Sequence, residues 1–202
     1  MREGLLFIVC GPSGVGKTTL CGHLLDEQAS LCLSVSYTTR APRGNERDGE
    51  AYHFVDVARF EAMMDRGIFA ESAKVHGNYY GTSVEVIEAA WARGQDVLFD
   101  IDYQGALQLK ERFNERAVST LIVPPSMSEL ESRLRGRKTD DESVVQKRLA
   151  AARHELEQYP SFDYLIVNDD LENAKSTLNA IYRASRFKAV VQTPRVRSLL
   201  AT

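Results

Sequence analysis

The feature that most constrains this chain is the run Gly11-Pro12-Ser13-Gly14-Val15-Gly16-Lys17-Thr18. It fits the pattern G-x-x-x-x-G-K-[ST]. It follows the apolar run Leu5-Leu6-Phe7-Ile8-Val9-Cys10 and opens a helical pattern from Thr19 to Gln28. Strand, glycine loop and helix, in that order, is the context that gives the pattern its meaning. The glycines let backbone N–H groups turn inward, and the following helix aims its positive end at the same point. In such a loop Lys17 reaches the outer phosphates of a nucleoside triphosphate, and the Thr18 hydroxyl can ligate Mg²⁺. The alternative, a glycine-rich turn without a ligand, has the complete motif in its proper setting against it.

The rest of the chain supports a parallel sheet. Strand-like runs at Leu5–Cys10, Val97–Ile101, Thr120–Val123 and Leu165–Val167 alternate with helical patterns, the signature of an α/β fold. In such folds ligands bind at the carboxyl ends of the strands. Asp100 and Asp102 follow Val97-Leu98-Phe99 and should lie at such an end. Asp100 would help order Mg²⁺ waters, unless one of the two acids merely caps the helix beginning near Gly105.

Two segments interrupt the alternation. Residues 34–84 are too long for a simple crossover. Tyr52-His53-Phe54-Val55 and Phe69-Ala70-Glu71-Ser72-Ala73 read as β structure. Between them a short helix should present Val57, Phe60, Met63 and Met64 on one face. Gly77-Asn78-Tyr79-Tyr80-Gly81 reads as a turn. After Pro124-Pro125, Ser126 or Ser128 can cap a helix running to Arg135. The stretch Arg133-Leu134-Arg135-Gly136-Arg137-Lys138-Thr139-Asp140-Asp141-Glu142 reads as a charged flap. A long helix from Asp141 or Ser143 to Tyr159 should follow. A last helix, capped by Asp169 or Asp170, should run from Leu171 to about Val190, with the tail after Pro194 frayed. The expected division is a core of residues 1–33 and 85–202, a lid at about 136–141 within it, and a lobe of residues 34–84.

Of the 202 residues, 44% are hydrophobic and 26% charged, ordinary for a soluble globular protein. The net charge of −3 offers no basic surface for nucleic acid. No apolar run is long enough to cross a membrane, and Met1-Arg2-Glu3-Gly4 leads directly into the first strand, so a cytoplasmic location is expected. Cys10, Cys21 and Cys32 form no C-x-x-C pair, and the four histidines lack metal-ligand spacing, so no zinc site or disulfide framework is indicated.

The lobe carries the next clue. Ser36-Tyr37-Thr38-Thr39-Arg40-Ala41-Pro42-Arg43 sets two arginines around a proline. Two guanidinium forks on a stiffened turn suit a phosphate dianion.

Together these stretches resemble the guanylate kinases of bacteria. GPSGVGKTTL, SVSYTTRAPR, DGEAYHF, FAESAKVHGNYYGTS, VLFDIDYQGA, IVPPS, RLRGR and YLIVNDD occur in family order and cover residues 5–190. The resemblance implies a three-layer P-loop α/β core with a parallel sheet, an inserted mainly-β GMP-binding lobe and a short lid. It implies Mg²⁺-dependent transfer of the γ-phosphoryl group of ATP to GMP, with dGMP as a further acceptor. It also implies roles for particular residues. Gly11 to Thr18, Arg133, Arg137 and Asn168 would contact ATP, with Thr18 and Asp100 on the metal side. Arg40, Arg43, Tyr52 and Tyr80 would hold the GMP phosphate. Ser36, Glu71, Thr82 and Asp102 would serve the guanine. Lys17, Arg40, Arg137 and Arg148 would act on the transferring phosphoryl group. The chemistry agrees, since a carboxylate can accept the adjacent N1–H and N2–H donors of guanine. The lobe and lid, each bearing cations, are expected to stand apart when empty and to close around both nucleotides.

Two other readings belong beside this one. A kinase for another nucleoside monophosphate is disfavoured by Ser36 with Glu71. A non-catalytic interaction module of the same fold is disfavoured by the intact Lys17, Thr18 and lid arginines.

Overall fold

The computed structural model describes residues 3–75, 77–136 and 141–201. Its elements run β1 (Leu6–Cys10), α1 (Lys17–Glu27), β2 (Leu31–Leu33), β3 (Tyr37–Thr38), β4 (His53–Phe54), α2 (Val57–Asp65), β5 (Phe69–Val75), β6 (Asn78–Ser83) and α3 (Val84–Ala92). There follow β7 (Asp96–Asp100), α4 (Tyr103–Phe113), β8 (Ala117–Val123), α5 (Met127–Gly136), α6 (Glu142–Leu156), β9 (Tyr164–Val167), α7 (Leu171–Ser185) and α8 (Ala189–Leu200).

Five strands form an all-parallel sheet in the order β2-β7-β1-β8-β9. Strand β1 lies at its centre, and its side chains alternate between two cores, as the two-residue period of a strand requires. Phe7 and Val9 pack with Leu20 and Leu24 of α1, Leu178 and Tyr182 of α7, and Val191 of α8. Leu6, Ile8 and Cys10 pack with Ile87 of α3 and with Ala106 and Leu109 of α4. The result is helix, sheet, helix, with both sheet faces covered, as parallel sheets demand. A third apolar cluster joins α5 to α6 through Leu130, Leu134, Val145, Leu149 and Ala152.

Helix starts follow their caps. Asp56, Ser83, Asp102 and Asp170 each accept the backbone N–H three residues on, opening α2, α3, α4 and α7. Ser126 does the same for Glu129 and opens α5. Of the two capping candidates in each pair, Ser126 and Asp170 take the role. Among the described residues no helix is long and apolar enough to cross a membrane.

A second sheet of four strands, β4-β3-β6-β5, lies within residues 37–83. Here expectation and structure part in places. Asn78 to Gly81 is not a turn but most of strand β6, antiparallel to β5. Tyr79 and Tyr80, both β-favouring, pair with Lys74 and Ala73. In α2, Phe60 is fully buried while Val57 and Met64 remain 48% and 40% exposed. The apolar face is therefore narrower than its spacing suggests: Phe60 takes the seam by stacking between Phe69 and Tyr79.

The core holds further differences. Strand β2 adds a fifth member that its three-residue length concealed. The last helical run is two helices, α7 ending at Ser185 and α8 beginning at Ala189. Pro194 sits inside α8 and does not end it. Proline removes one helical hydrogen bond, but Val191 is fully buried and its carbonyl accepts the Glu3 N–H, anchoring the helix.

One buried carboxylate ties distant parts together. Asp96, at the start of β7, is fully buried. Its Oδ1 accepts Leu5 N–H at 2.9 Å, and its Oδ2 accepts the Tyr182 hydroxyl at 2.9 Å. Arg186 Nε lies 3.3 Å from Oδ2.

Candidate active site

A cleft of ≈ 410 Å³ opens at the carboxyl end of the parallel sheet. The loop between β1 and α1 forms one end, with Gly11, Pro12, Ser13, Gly14, Gly16, Lys17 and Thr18 on its wall. Gly11 has φ of 145° and Gly16 has φ of 101°, a region that L side chains avoid. A Cβ on Gly11 would also meet the Ile122 carbonyl oxygen at 2.4 Å. The loop therefore needs glycine there on two counts. Val15 is fully buried and does not face the cleft.

Lys17 folds back so that its ammonium donates to the Gly11 carbonyl. Asp100, at the end of β7, lies on the same wall. Burial pushes its carboxyl up from the ordinary value, and the Lys17 charge opposes the rise. Asp102 both lines the cleft and caps α4, its Oδ1 accepting Gly105 N–H at 3.1 Å. The capping alternative thus holds for Asp102 and not for Asp100.

A residue that the motifs did not flag joins this end. Glu155, on α6, lines the cleft. Burial raises its carboxyl, while Lys17 and a hydrogen bond from the Gly11 backbone hold it down. A signal was available: Val145, Leu149 and Ala152 are buried on α6, and Glu155 continues that apolar stripe one turn on. A carboxyl group at such a position calls for a partner.

The other end of the cleft comes from the second sheet. Ser36, Tyr52, Glu71 and Tyr80 line it. Ser36 and Thr82 hydroxyls lie 2.8 Å apart, both buried. Glu71 is only 3% exposed. Burial pushes its carboxyl up to about 7, hydrogen bonds from Thr82 pull it down, and Asp102 adds to the rise. Its Oε1 is buried without a hydrogen-bond partner among the described residues. Such an orphan is expensive unless a ligand completes it.

Beside these residues, Arg40 is buried to 9% exposure. Its guanidinium meets both oxygens of Glu46, at 2.9 and 3.0 Å, and donates to the Ala41 carbonyl at 2.7 Å. Its charge lies 5.3 Å from the Tyr52 ring centre, and the Tyr80 hydroxyl hydrogen-bonds to it. Arg40, Tyr52 and Tyr80 are therefore brought together as expected. Arg43 is not: its side chain is exposed, and only its backbone N–H reaches Glu46.

Of the other expected ATP-side residues, Asn168, Arg133 and Arg148 are not part of the cleft wall. Asn168 is buried, and its amide donates to the Val15 carbonyl at 2.7 Å. It braces the glycine loop through that bond. Arg133 donates to the Asn168 carbonyl at 3.1 Å and to Glu129 at 3.0 Å. Arg148 is half-buried on α6. Arg137 and most of the expected lid lie outside the described residues. Arg135 bridges Glu131 of α5 and Glu142 of α6, fastening together the two helix ends that flank that segment.

The oxygen donors at the phosphate end suit a hard cation. Thr18 and Asp100 share one wall, and Mg²⁺ takes one or two protein oxygens with waters and phosphates completing its shell. Among the described residues no group of three or more His, Cys, Asp or Glu could hold a metal by itself.

Comparison with known proteins points one way. The guanylate kinase family model matches residues 3–185. A guanylate kinase of Aromatoleum aromaticum is 52% identical over 192 residues, covering 95% of this chain and 94% of its own. One from Rhodospirillum rubrum is 51% identical, covering 93% of this chain and 86% of its own. The crystal structure of guanylate kinase from Anaplasma phagocytophilum superposes with a TM-score of 0.78 at 34% identity, covering 94% of this chain and 90% of that one. With the phosphate loop at one end of its cleft and a buried carboxyl that keeps one oxygen without a partner among the described residues at the other, this chain belongs to the guanylate kinase family.

Proposed function

We propose that the protein transfers the γ-phosphoryl group of ATP to GMP, and to dGMP, giving ADP and GDP or dGDP, in the cytoplasm and as a step of purine nucleotide metabolism. One observation carries the reading: the phosphate loop with Lys17 and the Glu71 carboxyl, whose Oε1 is buried without a partner among the described residues, line a single cleft. A phosphoryl donor held at one end and a guanine held at the other would bring acceptor phosphate and γ-phosphate face to face.

The mechanism follows from the residues. The inward N–H groups of Gly11 to Thr18 hold the donor phosphates. Lys17 leaves the Gly11 carbonyl and turns to the transferring group, where a fixed positive charge stabilises charge spread over its oxygens. Mg²⁺, held by Thr18 and through water by Asp100, would neutralise charge on the donor phosphates. Arg40 offers GMP the same two-pronged face that it now offers Glu46, so the phosphate would meet a guanidinium already aligned. Tyr52 and Tyr80 donate hydroxyls to that phosphate, and Arg43 swings in from the surface. Ser36, Thr82 and Glu71 read the guanine, Glu71 accepting from N1–H and N2–H. Arg133, Arg137 and Arg148 approach from the lid side. Residues 34–84 act as the GMP-binding lobe and residues of about 136–141 as the lid, closing to exclude water from the γ-phosphoryl group.

A steady-state acceptor panel with Mg²⁺ and ATP tests the proposal, using GMP, dGMP, AMP, UMP and dTMP. Turnover confined to the two guanine nucleotides is expected. Equal use of AMP, or no turnover with any acceptor, would overturn it.

A further inference from the structure

Helix α4 turns three residues toward the edge strand β5. Gly105, Gln108 and Arg112 follow one another at helical spacing. Arg112 donates to the Phe69 carbonyl at 3.1 Å. Gln108 straddles Ser72: its Oε1 accepts the Ser72 N–H at 3.0 Å, and its Nε2 donates to the Ser72 carbonyl at 2.8 Å. Those are the two bonds a neighbouring strand would make, so one amide side chain closes the open edge of β5 at this point.

Glu71 lies between these anchors. The β5–β6 register shifts between Phe69 and Glu71, and such an irregularity re-aims a side chain. The Glu71 carboxyl comes to rest against the first turn of α4. A Cβ placed on Gly105 would lie 2.6 Å from Glu71 Oε2, 3.3 Å from its Cδ and 3.1 Å from Ile101 Cδ1. Glycine within a helix is unfavourable relative to alanine. The space taken by the carboxyl supplies the reason for it here.

We propose that Gly105 and Gln108 are positioning residues for the acceptor base: together they fix where the Glu71 carboxyl stands and so which purine the cleft accepts. The inference rests on the reading of Glu71 as the partner of guanine N1–H and N2–H. A carboxylate accepts two adjacent donors only when both oxygens lie at hydrogen-bond distance side by side. A methyl at position 105 pushes that group aside. IMP has no 2-amino group and offers one of the two donors, so displacement harms GMP more than IMP.

The experiment compares wild type, Gly105→Ala, Gln108→Ala and Glu71→Gln. It reads kcat and KM separately for GMP and IMP, KM for ATP, and thermal unfolding. Gly105→Ala is expected to lower kcat/KM for GMP by ~10- to 100-fold, mostly through KM, with a much smaller loss for IMP. Gln108→Ala should move the GMP-to-IMP ratio in the same direction by a smaller factor. ATP KM should change little in both. Equal losses for GMP and IMP, the mark of a merely structural role, would overturn the proposal. So would an unchanged ratio in Gly105→Ala when Glu71→Gln collapses it. An unchanged ratio in Glu71→Gln removes the reading of Glu71 itself. If Gly105→Ala does not fold, Glu71→Ala/Gly105→Ala decides. With the carboxyl gone the methyl meets only Ile101 Cδ1, the free end of a flexible side chain that can shift by a few tenths of an ångström, and the double variant should fold about as well as Glu71→Ala alone. A double variant that also fails to fold would overturn the proposal.

Discussion

At the phosphate end of the cleft several polar groups have partners within the chain. The Val15 carbonyl is taken by Asn168, the Lys17 ammonium by the Gly11 carbonyl, and the Val15 N–H by the Pro12 carbonyl at 3.2 Å. At the opposite end, Glu71 Oε1 is buried with no partner among the described residues, and its carboxyl titrates near neutrality. One end is held in shape by its own backbone. The other keeps a buried polar atom that a guanine would satisfy. Under the proposed function the contrast would separate rate from choice: preorganised donors at the first end would serve any triphosphate, whereas an incomplete acceptor at the second would discriminate among bases.

Four experiments would break or sharpen that contrast. Lys17→Met should lower kcat by ~10²–10³ while leaving the fold intact. Near-normal turnover in a folded variant would remove Lys17 from the mechanism and leave the first end a mere scaffold. Glu71→Gln should cost roughly 2–4 kcal/mol in kcat/KM for GMP and leave ATP binding alone. The carboxamide offers one acceptor and an unwanted donor. Retention of the wild-type GMP-over-AMP preference would end the idea that this end reads the base.

The third concerns pH in the empty protein. The Glu71 carboxyl rises from 4.5 to about 7 on folding. A raised acid favours the fold below its unfolded value and loses that contribution as pH climbs through its folded value. Wild type should therefore lose about 3 kcal/mol relative to Glu71→Gln between acid conditions and the alkaline side of neutrality. Urea unfolding of both proteins across that range checks it, and a pH-independent difference would contradict a carboxyl whose burial raises it. The fourth and smallest effect belongs to the other end. Asn168→Ala leaves the Val15 carbonyl unpaired, costing about 1–3 kcal/mol in stability. ATP KM should rise with little change in GMP KM. A change confined to adenine selectivity would restore Asn168 to a base contact.

The phosphate loop, the parallel sheet and its helix caps were legible because their signals are local. Gly11 to Thr18 is contiguous, and each cap lies three residues from the N–H it accepts. The triad Arg40, Tyr52 and Tyr80 was reached through resemblance, since nothing in their separate stretches shows that they meet. What stayed hidden is non-local. Tyr79 and Tyr80 look like turn residues beside Gly77 and Gly81, and only pairing with β5 makes them a strand. Asn168 sits before a helix cap, where a solvent role is natural, and its bond to Val15 links the end of the edge strand β9 to the loop that follows the central strand β1. Glu155 needed the apolar stripe of α6 to be followed one turn further. Glu46 belongs to none of the motifs, and its hold on Arg40 depends on how the turn between them folds.

Asp96 has a consequence for how the protein is made. Its partners are Leu5 near the start of the chain and Tyr182 and Arg186 near the end. During synthesis the strand carrying Asp96 emerges long before α7 does. Until Tyr182 and Arg186 leave the ribosome, sealing β7 into the sheet would bury the Asp96 carboxylate without the hydroxyl and the guanidinium that meet its Oδ2, which is costly for a buried charge. The sheet can begin to pair early, yet its closure must wait for nearly the last helix. The amino-terminal strand that carries the phosphate loop is thus completed by residues translated almost at the end.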